Sequence, residues 1–87
     1  MFHYVYALES EKMEGYYVGY STDLRRRLME HNSGASRSTK PYVPWELVYY
    51  EACLNADDAQ RREKYLETNQ GARLLKARLK EFRYKRR

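Results

Sequence analysis

Two short runs rich in tyrosine and valine near the start of the chain constrain the fold more than any other feature. Residues 4–6 (YVY) and 16–18 (YYV) stand on either side of a polar segment. Aromatic and β-branched residues favour strands, so the pattern predicts a β-hairpin with a loop of several residues. Because side chains alternate along a strand, a register that sets Tyr6 beside Tyr17 brings two phenols together on one face. Gly19 then leaves a space beside them that a backbone or a phosphate can enter.

Strand and helix signals alternate along the rest of the chain. Asp23 offers a capping oxygen to a helix that begins at Leu24, and Asn55 can cap a second helix. The predicted elements are strands at 2–8, 16–20 and 45–52, helices from 24 to about 32, from 56 and from 72 onward, and a loop over 33–44. The last two helices are expected to be separated by a break at 69–71. The sequence therefore predicts an α+β fold, with a small three-stranded, mostly antiparallel sheet flanked by about three α-helices.

The length, the cysteine count and the charge distribution limit the classes of protein to which this chain can belong. A chain of 87 residues is expected to form a single domain. One cysteine, Cys53, excludes an internal disulfide and fits the cytoplasm, and no apolar run is long enough to span a membrane. Residues 73–87 carry eight basic residues against one acidic, whereas residues 1–72 carry nine basic and eleven acidic. The basic C-terminal helix and tail, from about residue 72, are either a solvated surface or a phosphate-binding one. Membrane binding is disfavoured because the apolar stripe of this helix is needed for the core.

The hairpin and the residues that follow it resemble the GIY-YIG nuclease family. The two family motifs appear here as residues 4–6 (YVY) and 17–19 (YVG), with Tyr4 at the position of the first glycine. The match continues in order through Asp23-Leu24, Arg27, His31-Asn32, Pro44-Trp45, residues 48–51 (VYYE) and residues 62–64 (REK). The resemblance covers nearly the whole chain and implies a small stand-alone member of the family. The activity it implies is divalent-metal-dependent hydrolysis of DNA phosphodiester bonds by one-step water attack.

The resemblance also implies the site residues, whose chemistry suits this reaction. Arg27 is a planar cation that matches phosphate, and Glu63 is an oxygen ligand for one Mg²⁺ or Mn²⁺ ion. By resemblance, Tyr17 is the candidate base and Tyr6 is its hydrogen-bonding partner, which also orients water. A free phenol has a pKa of about 10, so acting near pH 7 requires about 4 kcal/mol of phenolate stabilisation. His31 is a rival base or a proton relay, and the sequence leaves that choice open.

Several polar residues are predicted to contact DNA. The loop over 33–44 is either a plain connection or a flap whose Arg37, Ser38, Thr39 and Lys40 contact phosphate. The predicted nucleic-acid contacts are Gly19, Arg26, Arg37, Lys40, Asn69, Arg73, Lys76 and Arg83. Asn69 has an alternative role as a helix stop, and Glu63 has one as an exposed ion pair.

A domain of this size leaves little room for elements that select a target. We expect low sequence specificity, selectivity for single-stranded or branched DNA, or a protein partner that supplies specificity. The alternative to a nuclease is a nucleic-acid-binding module of the same fold with little or no turnover.

Overall fold

The protein folds around a three-stranded sheet with helices on both faces. The structure, a computed structural model, describes residues 1–85. Its elements are β1 His3–Glu9, β2 Tyr17–Ser21, α1 Leu24–Asn32, β3 Glu46–Cys53, α2 Ala56–Leu66, α3 Asn69–Arg78 and α4 Lys80–Lys85, with a 3-10 turn at Lys40–Tyr42. β1 lies between β2 and β3 and pairs antiparallel with both. This confirms the predicted α+β class and the sheet, and residues 1–85 contain four α-helices where about three were expected.

The structure fixes the register of the hairpin, which the sequence left open. Tyr6 lies opposite Gly19, and Leu8 lies opposite Tyr17. The two tyrosines are therefore not directly opposite each other but are diagonal neighbours on the same face. This register places Gly19, which has no side chain, directly opposite the large Tyr6 side chain in the middle of β1.

The two faces of the sheet bury different kinds of side chain. One face packs against α2 and α3 through an aliphatic cluster whose buried members are Val5, Ala7, Val18, Ala59, Leu66 and Leu75. The other face packs against α1, and its buried members are Tyr6, Leu8 and Trp45. Burial of each large apolar side chain stabilises the fold by about 1.5–3 kcal/mol. Tyr6 is thus held in the aromatic layer beneath α1.

Local capping signals fix most helix starts. The side chain of Asp23 accepts from the Arg26 N–H at the start of α1, and Asn55 caps α2, as predicted. The predicted break at 69–71 is wrong, because Thr68 caps α3 by accepting from Gly71 N–H. A Cβ atom at Gly71 would stand 2.3 Å from the Leu66 backbone. This glycine therefore allows α3 to approach the end of α2 closely.

The C-terminal helices close the aliphatic side of the core. Leu75 and Leu79 are buried and Phe82 is half-buried, which confirms the predicted apolar stripe. The tail residues Arg86 and Arg87 lie outside the described residues. Within residues 1–85, every helix is too short or too polar to cross a bilayer.

Candidate active site

The centre of the candidate site is the contact between Tyr6 on β1 and Gly19 on β2. Tyr6 is 2% exposed, and its ring lies against Gly19. A Cβ atom at Gly19 would stand 2.3 Å from Tyr6 Oη and 2.4 Å from Tyr6 Cζ, which is too close for any real contact. The glycine therefore makes room for the phenol. The space that we expected a backbone or a phosphate to enter is filled by the Tyr6 side chain.

A buried chain of hydrogen bonds runs from Tyr6 into the loop over 33–44. Tyr6 Oη lies 2.8 Å from His31 Nε2, and His31 Nδ1 lies 2.8 Å from Thr39 Oγ1. His31 and Thr39 are both 0% exposed. Because both ring nitrogens are engaged and the ring is shielded from solvent, His31 is badly placed to take a proton from a substrate water. The geometry favours the relay role, in which His31 acts through Tyr6.

Burial keeps both members of the Tyr6–His31 pair neutral near pH 7. Burial raises the pKa of Tyr6 to about 12, although the neighbouring Arg27 guanidinium opposes this rise. Burial also lowers the pKa of His31, and the charge on Arg27 lowers it further. The pair is therefore a phenol hydrogen-bonded to a neutral imidazole.

Tyr17 lies beside this pair and is more accessible. Its ring packs edge-on against the His31 ring at 5.2 Å between centroids, and it is tilted against the Trp45 ring at 5.9 Å. Tyr17 is half-buried, whereas Tyr6 is almost fully buried. The predicted hydrogen bond between Tyr6 and Tyr17 is wrong, because the Tyr6 hydroxyl bonds to His31. Tyr17 is thus the phenol that a substrate can reach more easily.

Arg27 of α1 lies on the same side of the sheet as the two phenols. Its guanidinium interacts electrostatically with both Tyr6 and Tyr17. Arg27 Nη1 donates to Glu30 Oε1 at 3.1 Å, and its side chain is 35% exposed. Arg26 also pairs with Glu30, at 3.4 Å, but its side chain is 76% exposed. Of the two neighbouring arginines, Arg27 is the one directed toward the tyrosines.

Glu63 of α2 supplies a carboxylate without a partner. It is half-buried, and within residues 1–85 no hydrogen bond or ion pair to its side chain is found, so the predicted alternative of an exposed ion pair is not observed. Burial raises the pKa of Glu63, the charge on Glu67 adds to the rise, and Lys64 opposes it. The charge on Glu63 in turn raises the pKa of Tyr6, so the carboxylate lies within electrostatic range of the phenol.

The residue before Glu63 anchors α2 to the sheet. Arg62 donates to Glu51 on β3 through two bonds, Nε–Oε1 at 2.8 Å and Nη2–Oε2 at 2.9 Å. Tyr49 donates to the same carboxylate at 2.8 Å. Burial opposes ionisation of Glu51, but the bonds from Arg62 and Tyr49 outweigh it and hold the pKa of Glu51 below its usual range. This anchor fixes the helical turn that presents Glu63.

The donor set suits a metal that needs few protein ligands. Within residues 1–85, no cluster of three or more histidine, cysteine, aspartate or glutamate side chains forms a ligand cage. Mg²⁺ and Mn²⁺ are commonly held by one or two carboxylates together with waters and phosphate oxygens. An unpartnered, half-buried carboxylate such as Glu63 fits that mode of binding.

Six of the eight predicted nucleic-acid contacts fall into two groups. Arg37, Lys40, Asn69 and Arg73 are exposed. Lys76 and Arg83 line a cleft of about 430 Å³ that also contains Glu9, Glu14 and Tyr16, so acidic groups share their surroundings. The interpretation of the loop over 33–44 as a phosphate-contacting flap included Thr39, and for this residue it is wrong because the hydroxyl is buried against His31. Asn69 is the first residue of α3 and does not stop a helix.

Two contributors to the site were missed from the sequence. Thr39 was assigned to the surface, and the pairing of Arg62 with Glu51 was not foreseen. The hydroxyl-rich loop was only a weak signal for Thr39, because the local sequence does not show which hydroxyl group is buried. The Arg62–Glu51 ion pair joins a helix to a strand between residues 11 apart in the sequence, and the opposite charges are its only sequence signal.

The fold and the site together define a small α+β domain with two tyrosines, a histidine and an arginine on one side of the sheet and a carboxylate on α2. The family model described as the GIY-YIG catalytic domain matches residues 2–81. The chain therefore belongs to the GIY-YIG nuclease family.

Small proteins named UPF0213 are its relatives. A UPF0213 protein of Streptococcus pneumoniae is 34% identical, with 83% of this chain and 85% of the relative covered. One of Haloquadratum walsbyi is 37% identical, covering 77% of this chain and 75% of the relative. The solution NMR structure of UPF0213 protein BH0048 from Bacillus halodurans is 32% identical, with a TM-score of 0.55 over 88% of this chain and 84% of that chain.

Proposed function

We propose that this protein is a divalent-metal-dependent endonuclease that hydrolyses DNA phosphodiester bonds by one-step attack of water. The observation that supports it most strongly is the placement of Glu63. This carboxylate is unpartnered within residues 1–85, and its charge reaches Tyr6, which in turn interacts with Arg27. A bound cation would neutralise the charge of Glu63, and a bound phosphate would neutralise the charge of Arg27.

Arg27 is the proposed phosphate ligand. Its fork of donors matches the oxygens of a phosphodiester, and such a group stabilises the charge that develops at phosphorus. In the free protein Glu30 accepts one of its hydrogen bonds. Substrate phosphate would compete with Glu30 for the guanidinium.

Glu63 is the proposed ligand for one Mg²⁺ or Mn²⁺ ion. When bound, such an ion polarises phosphate oxygens and stabilises charge on the leaving oxygen. A cation requires the ionised carboxylate, and the pKa of Glu63 is raised, chiefly by burial. Metal affinity should therefore weaken on acidification at a higher pH than for an ordinary glutamate, because protons compete for the same oxygen atoms.

Tyr17 is the proposed base, and Tyr6 is the proposed water-orienting group. Ionising Tyr6 at pH 7 against a pKa of about 12 would cost about 7 kcal/mol, which makes it a poor base by itself. Tyr17 is more accessible to a substrate and interacts electrostatically with Arg27. The Tyr6 oxygen can accept a hydrogen bond from water while its proton is shared with His31. His31 thus acts as a relay behind Tyr6.

DNA is the proposed substrate, with low sequence specificity or a preference for single-stranded or branched forms. Specificity beyond that would come from a protein partner. A catalytically weak binding module remains the second candidate, and the pairing of Arg27 with Glu30 favours it, because a guanidinium held by a carboxylate is less available to phosphate.

One assay separates the two candidates. Labelled single-stranded, duplex and branched DNA are incubated with the protein in Mg²⁺, in Mn²⁺ and with chelator. We expect metal-dependent cleavage that falls by at least about 100-fold in Glu63→Gln. Asp57→Asn is the matched control, since it removes an exposed carboxylate in the first turn of the same helix. Binding of DNA without cleavage of any form would establish the binding module.

A further inference from the structure

Thr39 is held in place by a network that closes the loop over 33–44. Trp45 Nε1 donates to the Thr39 carbonyl at 3.0 Å. Asn32, at the end of α1, holds the Trp45 backbone through two bonds, accepting from the N–H at 2.6 Å and donating to the carbonyl at 3.0 Å. The loop is thus attached at both ends to the aromatic core. Its inward-facing hydroxyl has a fixed position beside His31.

The surroundings of Thr39 indicate the direction of its hydrogen bond to His31. A threonine hydroxyl has one proton and two lone pairs. Thr39 Oγ1 lies 3.4 Å from the Ser36 carbonyl, which can only accept. With its proton directed to that carbonyl, the hydroxyl is left to accept from His31 at 2.8 Å. His31 Nδ1 then carries the ring proton.

The Tyr6 end of the hydrogen-bond chain indicates the same position for the His31 proton. The Arg27 guanidinium has donors and no acceptor, and it lies beside the Tyr6 oxygen. A Tyr6 proton directed at Arg27 would set donor against donor. The phenol proton therefore points to His31 Nε2, 2.8 Å away, and this nitrogen must be unprotonated to accept it. Both ends of the hydrogen-bond chain, Thr39 and Tyr6, favour the same tautomer of His31.

We propose that Thr39 is a positioning residue that fixes His31 as the Nδ1–H tautomer, so that Nε2 accepts the Tyr6 proton and the Tyr6 oxygen keeps a lone pair that can accept a hydrogen bond from water. The catalytic part of this proposal rests on the proposed nuclease function. The part that concerns the tautomer does not, because it describes the free protein. Without the Thr39 hydroxyl the ring can turn to the Nε2–H tautomer, which forces the Tyr6 proton away from His31.

The tautomer is measured by ¹⁵N NMR of the histidine ring in the free protein. We expect His31 to be neutral at pH 7 with its proton on Nδ1. Thr39→Val keeps the shape of the side chain and removes the hydroxyl, so the Nδ1–H form should be lost or mixed with the other tautomer. Thr39→Ser keeps the hydroxyl and should restore the wild-type spectrum. Ser33→Ala is the control, because its hydroxyl caps the Glu30 carbonyl and does not touch His31.

Single-turnover cleavage tests the catalytic consequence. We expect Thr39→Val to lower the rate by about tenfold or more, as part of the 10²–10⁴-fold contributed by positioned acid–base groups. Thr39→Ser should recover most of the rate, with DNA affinity unchanged in both. Wild-type His31 protonated on Nε2, or a Val variant with the wild-type spectrum, would overturn the proposal. If Thr39→Val does not fold, the wild-type tautomer alone decides. The expected tautomer in a protein that cleaves no DNA would refute the nuclease function and leave the positioning role intact.

Discussion

Gly19→Ala distinguishes two explanations of the glycine at the centre of the site. If Gly19 serves close approach of a phosphate, alanine should weaken DNA binding and leave the fold intact. If it serves Tyr6, alanine should destabilise the fold. The structure favours the second, because the new Cβ would stand 2.3 Å from Tyr6 Oη. The glycine does not have a positive φ, so its backbone accepts alanine without strain.

The magnitude follows from two terms. Overfilling a packed core costs about 1–3 kcal/mol, and displacing the phenol from His31 Nε2 costs a further 0.5–1.5 or so. The sum, about 1.5–4.5 kcal/mol, should lower Tm by at least about 6 °C in a domain of this size. Cleavage should fall together with stability, because the displaced hydroxyl of Tyr6 no longer orients water.

A double-mutant cycle isolates the contact. Tyr6→Leu removes the atoms that meet the new methyl group, so Gly19→Ala in that background should cost less than about 1 kcal/mol or become slightly stabilising. Urea denaturation of the four proteins gives the coupling free energy. A Gly19→Ala variant with wild-type stability and weaker DNA binding would refute this reasoning and restore the phosphate-approach explanation.

Three further predictions follow from the same geometry. Arg27→Lys and Arg27→Ala should lower kcat more than they raise KM, because the lost fork acts on charge that develops at phosphorus; steady-state kinetics with intact kcat would make Arg27 an anchor only. Glu51→Gln should destabilise the fold by about 1.5–3 kcal/mol, as it weakens charged bonds to Arg62. The pKa of Glu51 is lowered in the fold, so this contribution is present above the usual glutamate pKa and is lost as pH falls through the folded value. Urea denaturation should therefore show a smaller difference between wild type and variant at pH 3 than at pH 7. Arg73→Gln and Lys76→Gln should each flatten the salt dependence of duplex binding by about 0.9 if the residue contacts phosphate; we expect this for exposed Arg73, and an unchanged slope in a salt titration would assign it to a solvated surface.

Features that depend on neighbouring residues were predictable from the sequence. Asn55 caps α2 because its side chain reaches two N–H groups within three residues of it. The start of α1 after Asp23 has the same local origin. Gly71 shows the limit of such signals. It was interpreted as a break, whereas its lack of a side chain serves the packing of α3 on α2, which a single segment cannot reveal.

The hydrogen bonds within the site join residues that are far apart in the sequence. Tyr6 and His31 are 25 residues apart, and their bond arises only when α1 packs on the aromatic face. The sequence therefore named both residues as candidates and could not say that the tyrosine bonds to the histidine instead of to Tyr17. The inward turn of Thr39 depends in the same way on Trp45 and Asn32, which close the loop from outside it.

Two adjacent residues of α2 show why an unpaired charge is informative. Arg62 is matched by Glu51, so its charge stabilises the fold and needs no ligand to explain it. Glu63, next to it, is half-buried with a raised pKa. A raised pKa of a carboxyl group means that protonation of Glu63 favours the folded state. This stabilisation is present below the unfolded pKa and is lost as pH rises through the folded pKa. At neutral pH the ionised carboxylate therefore opposes folding. This unfavourable charge near Tyr6 supports the proposed cation site at Glu63, because a cation that binds only the folded state would offset the unfavourable term.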